Sequence, residues 1–406
     1  MIKRLLVHVC VAWVSVALFS ARSVADPLYT VTSIGSTGPG VVDIYGFNNA
    51  GQIVGYDPAP GQSGGYGFVY DGSPGGTGAV TPIGAAATPD GILGLRLQPA
   101  AINDRGQIVG TPAQGSPAGS TSFLETGGQI TPLPGFWPIA ISDSGLILGQ
   151  KGGPIPDSLE GVVYNTATGA TQVLPSPTHA LQTWPTAINN AGEAVGNAFI
   201  TTNGSILSAT LSHPLLFKDG TLIDLGTLGG SSGNATAIND RGEIVGWADT
   251  ANNASGHAFL YRNGKMIDLG TLPGDASSNA SGINSAGQIV GSSSPQSGPS
   301  RGFLYAGGVM KDLNQLLVPG SGWTVTIPFA INNLGQILAY GIGPGNGDEV
   351  LLTPSNLPAP TPPDYPSTTI TPEPTSLALY ALGGIVVAVR CRRRRSVAAR
   401  RQGRCW

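Results

Sequence analysis

One pattern recurs seven times along this chain of 406 residues. It reads apolar residue, polar residue (usually Asn), two variable positions, Gly, then an alternating apolar strand, and its copies start at Phe47, Ile102, Ile141, Ile188, Ile238, Ile283 and Ile331. The clearest are Ile102-Asn103-Asp104-Arg105-Gly106-Gln107-Ile108-Val109-Gly110 and Ile238-Asn239-Asp240-Arg241-Gly242-Glu243-Ile244-Val245-Gly246. This spacing specifies a hairpin: the Asn side chain caps a type I turn, and the Gly accepts the left-handed backbone of the bulge that follows. The turn residues are therefore Asn48, Asn103, Asn189, Asn239, Asn284 and Asn332, with Gly51, Gly106, Gly145, Gly192, Gly242, Gly287 and Gly335. Turn capping accounts for each Asn without a ligand.

A second hairpin follows each motif. Its best copies run from His213 to Gly226 and from His257 to Gly270, with Asp219-Gly220 and Asn263-Gly264 at their tips. Asp-Gly and Asn-Gly between apolar runs are strong hairpin signals. One unit thus holds four short strands. The spacings of 55, 39, 47, 50, 45 and 48 residues vary only in Gly/Ser/Pro-rich loops. Four strands per period of this length predict a β-propeller blade. The fold class expected for residues 26–354 is all-β, a seven-bladed β-propeller of four-stranded blades. A β-solenoid is the competing fold, although its rungs keep a tighter period. The last unit offers three strands, around Ala330 to Asn332, Gln336 to Tyr340 and Glu349 to Thr353, and the segment Tyr29 to Ile34 is expected to supply its fourth and close the ring.

The two ends read differently from the body. Lys3 and Arg4, an apolar run from Leu5 to Ser20 and Ser23-Val24-Ala25 form a secretory signal, with signal peptidase expected to cleave after Ala25. At the other end a Pro-rich linker, residues 355–371, leads to Pro372-Glu373-Pro374, an apolar run over 377–389 and the block Arg392, Arg393, Arg394, Arg395. A short apolar segment closed by arginines is a single transmembrane helix with its basic end held in the cytoplasm. A basic tail, 397–406, completes the chain. A plain single-pass anchor is the simpler alternative to a processed one.

Removing both ends changes the charge. Residues 26–371 carry 9 basic and 22 acidic side chains, a net of about −13. Such a surface repels phosphate backbones, so nucleic acid is not an expected partner. The three cysteines are Cys10, Cys391 and Cys405, all outside the body, which leaves it without disulfides or thiolate metal sites.

The Pro372-Glu373-Pro374 motif, the apolar segment and the arginine block together resemble the PEP-CTERM sorting signal of Gram-negative bacteria that make exopolysaccharide. That resemblance implies a sorting protease of exosortase type as a partner, an inner-membrane intermediate, and a final place at the cell surface or in the extracellular matrix. The body resembles the HAF repeat family of extracellular proteins through His257-Ala258-Phe259 and the Asp-Leu-Gly-Thr-Leu segments at Asp224 to Leu228 and Asp268 to Leu272. It implies export and repetition, and no established chemistry.

No catalytic, cofactor or metal site emerges from the residues. His213 and His257 occupy equivalent places, yet the same position elsewhere holds Tyr66, Thr121, Glu160, Arg301 and Glu349, so no ring of ligands is expected. Gly61-Gln62-Ser63-Gly64-Gly65 and Gly229-Gly230-Ser231-Ser232-Gly233 match a nucleophile elbow on paper but lack its strand-to-helix setting. Asp104, Asp240, Glu193 and Glu243 recur at the hairpin turns. Trp184, Trp247 and Trp323 lie near inner hairpins, where stacking on sugar rings competes with core packing. The leading expectation is a non-enzymatic surface or matrix propeller binding glycan, such as exopolysaccharide, or a surface protein. The alternatives are a polysaccharide lyase or hydrolase, which needs paired carboxylates in one pocket, and an architectural spacer.

Overall fold

The computed structural model describes residues 28–35, 42–57, 65–84, 97–113, 121–153, 159–176, 180–200, 211–344 and 347–360. Ala25, the Pro372-Glu373-Pro374 motif, the 377–389 segment with its expected helix, and Arg392 to Arg395 lie outside them. So do most of the Gly61 to Gly65 match and the linker beyond Pro360. No helix among the described residues is long and apolar enough to cross a membrane.

Each motif turns its chain in the same way. In the first, the Gly51 N–H donates to the Asn48 carbonyl at 3.1 Å and the Asn48 N–H to the Gln52 carbonyl at 3.1 Å. That is a type I turn followed by a bulge whose residue needs positive φ. The seven motif glycines supply it, with φ between +73° and +86°. The Asn side chain completes the turn: Asn48 Oδ1 accepts from the N–H groups of Ala50 at 3.1 Å and Gln52 at 2.9 Å.

These hairpins extend into seven antiparallel four-stranded sheets, the blades of a β-propeller. In the fifth, Gly229–Ile238, Ile244–Thr250, Gly256–Arg262 and Lys265–Asp268 pair in chain order. The first strand of each blade ends on its motif turn, and all seven turns meet around one axial well. The seventh sheet is composite. Thr324–Ile331, Ile337–Ile342 and Gly347–Pro354 come from the end of the body, and Tyr29–Ser33 lies antiparallel on the last of them, Tyr29 opposite Pro354 and Ser33 opposite Val350.

The core lies between blades rather than within one. Val245, Ala258, Leu260 and Leu269 of the fifth blade pack with Ala280, Ile283, Ile289 and Phe303 of the sixth, and the same interleaving repeats around the ring. Phe259, in the middle of its blade's third strand, is fully buried and faces Gly246 of the second strand. That glycine is required: a Cβ there would stand 1.8 Å from the Asn234 carbonyl oxygen of the first strand. The close approach comes from a bulge, because the register of every first strand slips by one residue midway, as between Ala235 and Ala237.

Candidate functional site: the two ends of the propeller axis

At the end of the axis where the motif turns meet, the polar residues form two concentric belts. Each Asn of the inner belt reaches across to the next blade. Asn48 Nδ2 donates to the Asn103 carbonyl at 3.0 Å, Asn103 Nδ2 to the Ser142 carbonyl at 3.0 Å, and Asn189 Nδ2 to the Asn239 carbonyl at 3.2 Å. Asn239, Asn284 and Asn332 continue the belt to Asn284, Asn332 and Asn48 at 3.1, 3.1 and 3.3 Å. The same Nδ2 also touches the side chain four residues on, Gln52, Gln107, Glu193, Glu243, Gln288 or Gln336. The third blade departs twice, with Ser142 for Asn and Leu146 for Gln or Glu.

The second belt is the residue after each Asn. The Asn49 N–H donates to Asp104 Oδ1 at 2.7 Å, that of Asp104 to Asp143 Oδ1 at 2.7 Å, and that of Asp143 to Asn190 Oδ1 at 2.7 Å. Asn190, Ser285 and Asn333 repeat this toward Asp240, Asn333 and Asn49. Asp104 and Asp240 are thus acceptors that tie blades together. Glu193 and Glu243 are half-buried; burial alone would raise their carboxyls, but hydrogen bonds from Lys218 and Asn189, and from Asn239 and Arg241, hold them below the usual range. This end of the axis is chiefly a structural clasp.

The histidines are separate clasps. His213 Nδ1 sits 2.8 Å from Asp224 Oδ2 and His257 Nδ1 3.0 Å from Asp268, each joining the third and fourth strands of its own blade. Arg301 and Asp312 occupy the equivalent places in the sixth blade. Ser231 of the second elbow-like match lies within the strand Gly229–Ile238, with no helix following.

The opposite end, where first strands begin, differs in chemistry. Five residues before the motif's polar position stand Asp43, Gln98, Trp137, Trp184, Asn234, Asn279 and Ile327. Trp137 is 54 % exposed and Trp184 42 %, on neighbouring blades at the same motif position. Their cross-strand partners on the second strands are Gln150 and Asn197; in the fifth blade the order reverses, Asn234 opposite Trp247. An aromatic beside an amide therefore recurs in three successive blades. Gln98 Nε2 donates to the Tyr45 hydroxyl at 2.6 Å, adding a further polar pair. Trp323 belongs elsewhere: it is half-buried, packed on the core of the seventh blade against Gly341 and Gly343. Trp137 escapes the sequence reading, though Trp137-Pro138 and Trp184-Pro185 stand at one motif position.

Two hollows open between blades at this end. One, between the second and third blades, is lined by Thr111, Thr121, Ser122 and Trp137 among others. The other, between the fifth and sixth, is lined by Trp247, Ser277, Asn279 and Ser292 among others. No charged side chain lines either among the described residues.

No protein-family profile and no curated protein sequence matches the chain. Solved structures do. The β-propeller domain of the Trilobed protease from Pyrococcus furiosus, described as having an open velcro topology, matches with a TM-score of 0.51 at 9 % identity, over 81 % of this chain and 98 % of that one. A puromycin-hydrolysing peptidase of Mycobacterium tuberculosis matches with a TM-score of 0.51 at 11 % identity, over 77 % of this chain and 52 % of the peptidase. A prolyl endopeptidase matches with a TM-score of 0.50 at 9 % identity, and the chain spans 50 % of its length. At these identities the likeness is one of fold alone, the β-propeller.

Proposed function

We propose that this chain is an exported propeller of the cell surface or extracellular matrix that binds glycan or protein partners at the end of the axis opposite the motif turns, without transforming them. The observation that carries this is the exposure of Trp137 and Trp184 at one motif position on adjacent blades, each paired with a side-chain amide. A large aromatic left in water is the usual anchor of a recognition surface, and the buried amides behind these two, Gln150 donating to the Thr183 carbonyl and Asn197 accepting from the Ala235 N–H, hold the wall in place. The net charge of the body favours neutral or cationic partners over polyanions. Export by the signal ending at Ala25, and sorting through Pro372-Glu373-Pro374 and the arginine block by an exosortase-type protease, belong to the same proposal. So does closure of the ring in the exported chain by Tyr29–Ser33.

Glycan-array binding of the purified chain and its Trp137→Ala/Trp184→Ala variant, beside fractionation of cells with intact-mass measurement of both termini, tests this. The expected results are a surface-associated chain trimmed at its ends and at least a tenfold loss of binding in the variant. Wild-type binding that the variant retains in full would overturn the site, and a cytoplasmic, untrimmed chain would overturn the export.

The polysaccharide lyase or hydrolase reading has one observation in its favour. Glu349 is mostly buried, its Oε2 has no hydrogen-bond partner, and burial, with Asp348 and Asp43 nearby, pushes its carboxyl up to about 7. A carboxyl poised near neutrality is the form a general acid takes. Turnover of a polysaccharide that Glu349→Gln abolishes would favour this reading over simple binding.

A further inference from the structure

We infer that the hollow between the fifth and sixth blades is a subsite for a single neutral pyranose ring of a polysaccharide. It rests on the binding reading above, but on different residues. The hollow measures about 230 Å³, below the roughly 300–1,000 Å³ of pockets that enclose drug-sized ligands, so it admits one ring rather than an oligomer. Trp247, half-buried, supplies an aromatic wall, and Gly256 lies against its six-membered ring, where a Cβ would stand 3.1 Å from Cε3. Around the indole stand the hydroxyls of Ser277, Ser292 and Ser294 and the amide of exposed Asn279.

That combination selects for a sugar. A pyranose presents a C–H face that stacks on an indole, and an equatorial edge of hydroxyls that both donate and accept, as Ser and Asn do. The local charge selects among sugars. A uronate carboxylate would lose water here without gaining a cationic partner, and Asp249, whose Oδ1 lies 4.0 Å from the Cβ position of Gly256, repels it. The walls are fixed before any ligand arrives. Ser278 Oγ accepts from the Ala258 N–H at 2.8 Å and donates to the Gly270 carbonyl at 2.6 Å, riveting the sixth blade to the fifth directly behind the hollow. Preorganisation of this kind lowers the ordering cost of binding.

The hollow between the second and third blades is larger, about 450 Å³, and sets Trp137 beside Thr111, Thr121 and Ser122. Two weak sites on one face hold a long chain far more tightly than either alone. A polysaccharide is therefore the ligand class, rather than a free monosaccharide.

The test is isothermal titration of the full chain with neutral glucan, mannan, galactan and xylan hexasaccharides and with a hexagalacturonate. Wild type, Trp247→Ala, Trp247→Phe and Asn279→Ala are compared, with thermal melting as the folding control. At least one neutral hexasaccharide is expected to bind; Trp247→Ala should weaken it at least tenfold, Asn279→Ala about threefold to tenfold, and Trp247→Phe less than Trp247→Ala. Hexagalacturonate should bind at least tenfold more weakly. Should Trp247→Ala misfold, Asn279→Ala, an exposed change, still decides. Binding that survives Trp247→Ala and Asn279→Ala but falls with Trp137→Ala/Trp184→Ala would overturn this subsite and leave the binding reading standing. Absence of binding by any neutral saccharide, or equal binding of hexagalacturonate, would overturn the inference.

Discussion

Replacing Asn239 by Ala is expected to destabilise the propeller by about 2–4 kcal/mol, more than loss of a turn cap alone. The side chain is nearly buried and makes four hydrogen bonds. Its Oδ1 accepts from the N–H groups of Arg241 at 3.0 Å and Glu243 at 3.0 Å. Its Nδ2 donates to Glu243 Oε2 at 2.7 Å and, across the blade boundary, to the Asn284 carbonyl at 3.1 Å. At roughly 0.5–1.5 kcal/mol net per bond, with more where a buried partner is left unsatisfied, the two turn bonds account for about 1–2 kcal/mol and the two others for as much again. The third blade supplies an internal control, because there Ser142 stands with Leu146 in place of Asn with Glu or Gln. Asn239→Ser and Glu243→Leu, each costly alone, should together cost about 1–2 kcal/mol less than their sum, since the double variant strands neither an amide nor a carboxylate. Equilibrium urea unfolding of the purified chain, followed by tryptophan fluorescence, reads all four members of the cycle. A cost below about 1 kcal/mol for Asn239→Ala would refute the idea that the amide joins blades, and strict additivity in the cycle would refute its coupling to Glu243.

Gly246→Ala should cost about 2–3 kcal/mol, because the new methyl would meet the Asn234 carbonyl at 1.8 Å and the strand must shift to admit it. Gly264→Ala, at a hairpin tip with φ +74° and open space around it, should cost only about 1 kcal/mol; equal melting temperatures for the two variants in circular dichroism would contradict the close-approach argument. Glu349→Gln tests the seam where Tyr29–Ser33 meets Gly347–Pro354. There the Ser33 hydroxyl donates to Asp348, and the Ile34 N–H to the Glu349 carbonyl at 2.9 Å. A carboxyl raised from 4.5 to about 7 binds protons in the folded state that the unfolded state releases, so its stabilising share is complete below about pH 4.5 and is lost as pH rises through about 7. The full shift corresponds to roughly 3 kcal/mol, which residual solvent contact reduces to about 1–2 kcal/mol. Glu349→Gln should therefore out-melt wild type at pH 8 and match it near pH 4.5; an equal gap at both would show that charge is not the cause.

The architecture was legible because its signals are local. Asn-x-x-Gly and Asp-Gly or Asn-Gly specify hairpins within a few residues, and their repetition fixes how many strands each blade holds. What stayed hidden is what depends on a partner far along the chain. Capping by Asn239 is visible from its own turn, but its bond to Asn284 spans 45 residues. The joint change of Asn to Ser142 and of Gln or Glu to Leu146 in one blade traces only the bond between those two side chains, not the one that crosses to the next blade. The second glycine of six of the seven motifs, as in Gly110 and Gly246, is equally silent until the Gln98 and Asn234 carbonyls are seen beside it.

The candidate binding end was the least legible part, because the parity of a side chain along a strand cannot mark a surface residue where both faces of a blade pack on neighbours. In an uninterrupted strand, side chains alternate, so a residue five before the motif's polar position would share a face with the apolar residue one before it. Trp184 would then lie on the side of Ile188, and Trp137 on that of Ile141, which argues for core packing. The register slip between Pro185 and Ala187, and between Pro138 and Ala140, inserts one residue and reverses that parity. Trp184 thus shares the face of Ala187 and Val195 and Trp137 that of Ala140 and Leu148, faces that are themselves packed on a neighbouring blade, yet the two indoles are 42 % and 54 % exposed. Alternation along the strand therefore could not mark these aromatics as surface, and only the assembled ring shows that Trp137 and Trp184 lie beyond the packed part of the blade.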